Sequence, residues 1–415
     1  MKADSGRQQG DKWLLRDRRG FTITELLVVM GIFLILMMIT SNSFNRIAIQ
    51  SSQQSKSLET QIEGIVGLEV LRADLEQAGF GLPWSIPAGV TYAEANLGSS
   101  KPDTDYWVSG SANDFNDAVV SGTGNPPRAV VSGNTKFNIY DGKGATYLVI
   151  KSSNIATNDT VKKWTSVALD AWGAKTRTEW GDSNRDFDSS ERVIVVRNNM
   201  TATPPSRDLM ATGGNFSARF SKYSTLVSGI SNSTFELYGI ASATSPGSEQ
   251  VRMPFNRADY YVMTPPASSM PSGCAPHTGV LYKSVISQDS TSSGGGYSTT
   301  IPLLDCVADL QIVYGLDTDG TGRVNLHTDT LSPTMTAAQI REQFREIRAY
   351  ILAQDGQKDL LYTYPSNTVD VGESFDGGAT IMGRRFDLGN IIGSGWQNYR
   401  WKVYTIVVRP KNLIQ

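Results

Sequence analysis

The chain has 415 residues, 40% of them apolar and 19% charged, with a formal net charge of −2. That length supports a substantial core and even two globular lobes, and sparse charge beside plentiful Ser, Thr, Asn and Gly suits a secreted β-rich protein. Residues 1–20 carry Lys2, Arg7, Lys12, Arg16, Arg18 and Arg19 against Asp4, Asp11 and Asp17, so setting aside that leader's +3 leaves −5 for the rest; a mildly acidic remainder speaks against nucleic-acid binding as the main role.

The basic leader ends at Gly20. Phe21 then opens an apolar run, FTITELLVVMGIFLILMMI, that reaches Ile39. At 1.5 Å per residue the run covers roughly 28 Å, about one hydrocarbon core. The only basic residues among the next twenty are Arg46 and Lys56, so the asymmetry in Lys and Arg keeps the leader cytoplasmic and sends the bulk across. Glu25 is the feature a plain span does not explain, because a carboxylate inside such a run is costly. A secretory signal peptide would account for the leader, but the residues after Ile39 make a weak small-x-small cleavage site. An ordinary signal anchor also leaves Glu25 without a purpose.

Gly20, Phe21, Thr22, Glu25, Leu26, Leu27, Val28 and Val29 together resemble the class III signal peptide of type IV pilins and type II secretion pseudopilins. The resemblance implies that prepilin peptidase cuts between Gly20 and Phe21. Phe21 then becomes the N-methylated first residue, and Glu25 neutralises the free N-terminus of a neighbouring subunit. An amine and a carboxylate in low dielectric cost far less paired than alone. A single-pass inner-membrane protein is implied, its N-terminus cytoplasmic and its bulk periplasmic, which later joins a cell-surface pilus. Its partners would be prepilin peptidase, other minor pilins, the major pilin and the inner-membrane assembly platform, with no nucleic acid among them.

From Ser41 to Ala78 there is no proline, and Leu58, Ile62, Ile65, Leu68, Leu71, Leu75 and Ala78 recur every three or four residues. The spacing predicts one apolar stripe on a helix over 21–78, roughly 87 Å long. Gly64 and Gly67 weaken it locally, and Gly79, Gly81 and Pro83 end it. The stripe's expected partner is the chain's own sheet, since the pattern is too short and irregular for a free coiled coil. Strand-like runs follow at 145–151, 192–197, 235–240, 260–264, 280–284, 308–315, 347–353 and 400–410. Residues 290–300, STSSGGGYSTT, read as an exposed loop. Thr336 and Gln339 form a capping box for a short helix over 336–345, with Ile340, Phe344 and Ile347 on one face.

Residues about 95–250 show weak patterning and many polar loops, as an insertion or second lobe would. The expected fold class is therefore α+β and pilin-like. Residues 1–20 are a cleaved leader, and 21–79 a long helix that is transmembrane over about 21–40. Residues 80–415 form an antiparallel β-rich head on which that helix packs, with a large β-rich insertion.

The later segments sharpen the resemblance. Residues 71–81 (LRADLEQAGFG) are similar to the end of the long helix in PilW-like minor pilins. Residues 307–320 resemble their strand and turn before an acidic loop, and 348–353 with 399–413 their closing strands. Asn42 stands where many major pilins have a helix-bending proline. The resemblance implies a minor pilin that primes assembly and sits at or near the pilus tip. A J-like minor pseudopilin of type II secretion is the alternative within the superfamily, and a tip adhesin or ligand-binding module the alternative outside it.

Cys274 and Cys306 either form one bridge, closing a loop of about 33 residues worth roughly 3–4 kcal/mol, or are two separate buried thiols. Asp182, Asn184, Asp186 and Asp188 place oxygens at alternate positions as calcium loops do, without the Gly and the bidentate Glu of such loops. A weaker set is Asp317 and Asp319. The alternative for both is a solvated turn. His277 and His327 have no metal-ligand spacing, no serine elbow occurs, and Cys274 with His277 lacks an orienting third group. The chain reads as no enzyme, with no cofactor and no metal site.

Overall fold

The computed structural model describes residues 22–97, 115–117, 125–170, 175–199, 203, 205–242, 250–290, 294–375, 377–378 and 380–413, without the side chains at 46, 49–50, 52–63 and 175. The chain divides into two units, residues 1–55 and 56–415. Helix α1 (Ile23–Glu76, 54 residues) begins in the first and ends in the second. In the first unit the described side chains of α1 are exposed, among them Leu26, Leu27, Ile35, Leu36 and Phe44. Ile23–Asn45 is long and apolar enough to cross a membrane, with a mean hydropathy of 2.5.

In the second unit the strands follow in chain order. β1 (Val130–Asn134) and β2 (Thr146–Ser152) come first. β3 (Trp164–Leu169), β4 (Lys175–Arg177), β5 (Arg192–Asn199), β6 (Ser206–Leu209), β7 (Ser217–Arg219) and β8 (Ser233–Ala241) come next. β9 (Asn256–Met263), β10 (Gly279–Ile286), β11 (Tyr297–Leu316) and β12 (Leu326–Thr328) precede α2 (Ala337–Gln343) and β13 (Phe344–Asp355). β14 (Thr368–Ser374), β15 (Ile381–Asp387), α3 (Leu388–Ile391) and β16 (Arg400–Val408) complete the described elements.

The main sheet runs β1-β2-β9-β10-β11-β13-β16, with β12 beside β11, and its pairings are antiparallel. A six-stranded sheet, β4-β3-β8-β5-β6 with β7 on β5, is built from the strands lying in sequence between β2 and β9. β14 and β15 form a hairpin of their own.

β11 is central because both its faces are covered. Leu310, Ile312, Tyr314 and Leu316 join the core cluster that contains Leu68, Leu71 and Leu75 of α1. Ala308 and Val313 join the cluster formed with Val371 of β14, Phe386 of β15 and Trp401 of β16. A strand buried on both faces reads as a nearly continuous apolar run, as 303–316 does. The six-stranded sheet is likewise covered on two faces. Ile194, Val196 and Tyr238 enter the main core, while Val193, Val195 and Leu237 pack with Phe220, Leu226 and Val227.

Three expectations need correction. Ile65 is 63% exposed and not part of the buried stripe; Leu58 and Ile62 lie outside the described side chains. The buried positions are instead Gly64, Gly67, Leu68, Leu71, Leu75 and Ala78, because α1 approaches β11 too closely for any side chain at 67. A Cβ there would stand 1.8 Å from the Leu303 carbonyl oxygen. Second, the span read as a loop at 290–300 already enters β11 at Tyr297, whose backbone pairs with Ile286. Third, Phe344 opens β13 rather than continuing α2, since its backbone is extended at φ −69 and ψ 126. The end of α1 is as expected, with Gly79 at φ +82 and Gly81 at φ +69, conformations that glycine adopts at little cost.

Candidate functional site

Gly20 and Phe21 lie outside the described residues, so the site is built from Thr22 onward. Thr22 precedes the first helical residue. Its N–H and its hydroxyl both donate to one Glu25 carboxylate oxygen, at 3.0 and 2.9 Å, and the Glu25 N–H donates back to the Thr22 hydroxyl at 3.3 Å. This is a capping box, which satisfies two helix-start groups reciprocally. Thr22 and Glu25 stand three apart, the spacing that signals such a box, so the sequence carried a second role for Glu25 that a purely intermolecular reading misses. Within this chain the carboxylate thus holds the start of α1 and is exposed.

Further along, α1 is locked into the second unit by charge as well as by apolar contact. Asp74 accepts from the Lys283 ammonium and the Tyr260 hydroxyl, which are on β10 and β9. Burial pushes its carboxyl up from the ordinary value, and Lys283 and Tyr260 offset that only in part. At the helix end, the Lys411 N–H donates to the Glu76 carbonyl at 3.1 Å and its ammonium pairs with the Glu76 carboxylate at 2.7 Å.

A buried charge network ties the segments after α1 to the main sheet. Lys151 on β2 contacts Glu94 at 2.7 Å and Asp117 at 2.6 Å. Arg128 pairs with Asp117, and Arg257 with Asp259 at 2.7 Å. Burial pushes Asp117 up, but Lys151 and Arg128 more than offset it and hold the carboxyl below its usual range. Sequence reading missed this network, because isolated charges in strands look like exposed positions until their partners are known.

Cys274 and Cys306 form a disulfide, with Cα atoms 5.0 Å apart. It leaves no thiol beside His277, whose carbonyl accepts from the Asn138 amide at 2.7 Å. His327 lies stacked on Phe375, 3.7 Å between ring centres. In the 182–188 segment Asp186 accepts from the N–H groups of Trp180, Gly181 and Asp182 at 3.0, 2.8 and 3.2 Å. Asp182 accepts from the Asn184 N–H and Asp188 from the Ser190 N–H. The carboxylates are turned onto their own loop, and a cation at this place would have to displace those donors. Asp317 is similarly engaged by the Thr321 and Gly322 N–H groups and by Arg345.

The N-terminal motif at the start of this capped apolar helix indicates a prepilin-type protein of the type IV pilin-like or pseudopilin kind. The family description that matches is the prokaryotic N-terminal methylation motif, over residues 15–41. The match spans Arg16, Arg18, Arg19, Gly20, Phe21 and Glu25, and it implies processing by prepilin peptidase and membrane pilus machinery. No curated protein and no solved structure matches the chain.

Proposed function

We propose that the chain is a PilW-like minor type IV pilin. After cleavage between Gly20 and Phe21 and methylation of Phe21, it joins other minor pilins in the inner membrane. It primes fibre growth with the major pilin and the assembly platform, and stays at or near the pilus tip. The observation that carries this reading is the methylation motif at residues 15–41, set at the start of an apolar helix that leads into a large head. In assembly, Glu25 would leave the Thr22 donors for the Phe21 amine of a neighbouring subunit, a charged donor in a medium of low dielectric.

Two features support the finer assignment. The segments that resemble PilW-like pilins are the end of α1 together with β11, β13 and β16, which are hydrogen-bonded neighbours in that order. A head of residues 80–415 is also hard to repeat in a tightly packed helical fibre, which suits a low-copy subunit. The work is assembly and not catalysis. The second reading, a tip adhesin or ligand-binding module, is favoured by the six-stranded sheet, which has an apolar cluster of its own on one face and reads as the insertion expected within 95–250. A J-like pseudopilin shares the N-terminal motif and is separated by phenotype.

Deletion of the chain tests these readings. Loss of surface pili supports priming. Retained pili with adhesion lost on removal of 164–241 supports the adhesin. Retained pili with type II secretion lost supports the pseudopilin.

A further inference from the structure

The segment after α1, residues 116–117 and 125–128, and helix α2 with the turn before it line a cavity of about 430 Å³. Trp84 forms one wall, and its backbone is fixed by its main-chain N–H, which donates to the Arg207 carbonyl at 2.8 Å. The Arg341 guanidinium on α2 lies 4.4 Å from the centre of the Trp84 ring. Pro126, Pro333 and Met335 supply apolar wall. The other arginine of the cavity, Arg128, is already committed, pairing with Asp117 and donating to the Pro333 carbonyl at 3.3 Å.

Arg341 is different. It is half-buried, and among the described residues it has a ring contact but no ion pair. Burial pushes its guanidinium below the usual value, and Glu342, exposed beside it on α2, offsets this only in part. A cation drawn out of water without a carboxylate is costly, whereas stacking on tryptophan returns only part of that cost. Stacking also fixes the guanidinium plane and leaves its N–H edge, a fork that matches a carboxylate in two parallel hydrogen bonds.

We propose that this cavity binds a carboxylate carried on a compact apolar body, with Arg341 as its charge partner and Trp84 as the platform that orients the guanidinium. The volume lies within the range of small-ligand sites and excludes a globular partner. Two sources share this chemistry: a free organic acid, and an acidic residue beside an apolar one on a peptide. The proposal does not depend on the pilin reading.

The test uses the full chain in detergent micelles and four probes: benzoate, its neutral counterpart benzamide, acetyl-Glu-Leu-amide and acetyl-Gln-Leu-amide. Binding is followed by tryptophan fluorescence and calorimetry. At least one acid should bind about tenfold or more tightly than its neutral counterpart, and Trp84→Phe should remove the fluorescence response. Arg341→Gln should lose that preference while melting at the parent's temperature or above it, since it removes an unpaired cation; Arg341→Lys should keep part of it. Preference for benzoate identifies a free acid as the ligand class, and preference for the Glu peptide a partner segment. The proposal is overturned if neither acid binds or if acid and neutral probes bind alike. Full acid preference in Arg341→Gln, or a clearly lowered melting temperature in that variant, overturns it as well.

Discussion

Replacing Gly67 by alanine tests how α1 is held on the head. The new Cβ would stand 1.8, 2.6 and 2.8 Å from the carbonyl oxygen, carbonyl carbon and Cα of Leu303. These are backbone atoms of β11 and cannot turn aside. Ordinary carbon contacts sit at about 3.5–4.0 Å, so α1 would have to back off by more than about 1 Å, loosening Leu68, Leu71 and Leu75 from the core they share with β11. Overpacking of this kind costs typically 1–3 kcal/mol, and the disturbance of three buried leucines puts Gly67 at the upper end. Alanine returns about 1 kcal/mol of helix propensity. The expected net loss is about 2 kcal/mol.

Gly64→Ala is the internal control, because its Cβ would meet only the Leu304 Cδ1 at 2.9 Å, the far end of a flexible side chain. A rotamer adjustment of about 0.5–1.5 kcal/mol against the same propensity gain leaves it within about 0.5 kcal/mol of the parent. The assay is urea unfolding of the full chain in detergent, followed by tryptophan fluorescence. Gly67→Ala should shift the midpoint clearly downward and Gly64→Ala hardly at all. A Gly67→Ala chain as stable as the parent, with Gly64→Ala the weaker of the two, would refute the close approach.

Three further outcomes are expected. Asp117 has a lowered pKa in the fold, so its contribution to stability is present above the ordinary carboxylate pKa of about 3.9 and is lost as pH falls through its own lower value; Asp117→Asn should flatten the acid limb of a melting-temperature profile, and an unchanged limb would contradict the network. Asp74→Ala leaves Lys283 buried and unpaired, which should cost about 3 kcal/mol in the same urea assay, and a loss below about 1 kcal/mol would mean that the pair is solvated. Thermal melts in calcium and in chelator should coincide, because Asp186 is occupied by three backbone N–H groups; a rise of several degrees with calcium that is lost in Asp186→Asn would reverse that reading.

The main-sheet strands β2, β9, β10, β11, β13 and β16 were legible, most plainly β2 and β11, which are apolar on both faces and need no side-chain alternation to be recognised; β1 (VVSGN) and β12 (LHT) were not, since neither offers a long enough apolar run. β14 was not, since TVDVGES buries only Val371 and offers no run to detect. β6 was missed for the same reason, burying only Leu209, whereas β3 buries Thr165, Val167 and Leu169 in an alternation the sequence reading passed over. The stripe on α1 was misread at one point because large apolar residues were counted as buried; where two backbones approach closely, the buried residue is the one with no side chain, Gly67 and not Ile65. The start of β11 was hidden by the three glycines at 294–296, yet Tyr297 is held there by its hydroxyl contact with Tyr147 at 2.9 Å. At the N-terminus, the residues that define the motif were plain. The bond of Glu25 to Thr22 was also written in their spacing.

The measurement that bears most directly on the account is the mass of the N-terminal peptide from membrane-purified protein. The account predicts a chain beginning at Phe21 with one added methyl group on its amine, and an uncleaved precursor when Gly20 is replaced by valine. A chain that retains residues 1–20, begins elsewhere, or matures normally with Gly20→Val would contradict it.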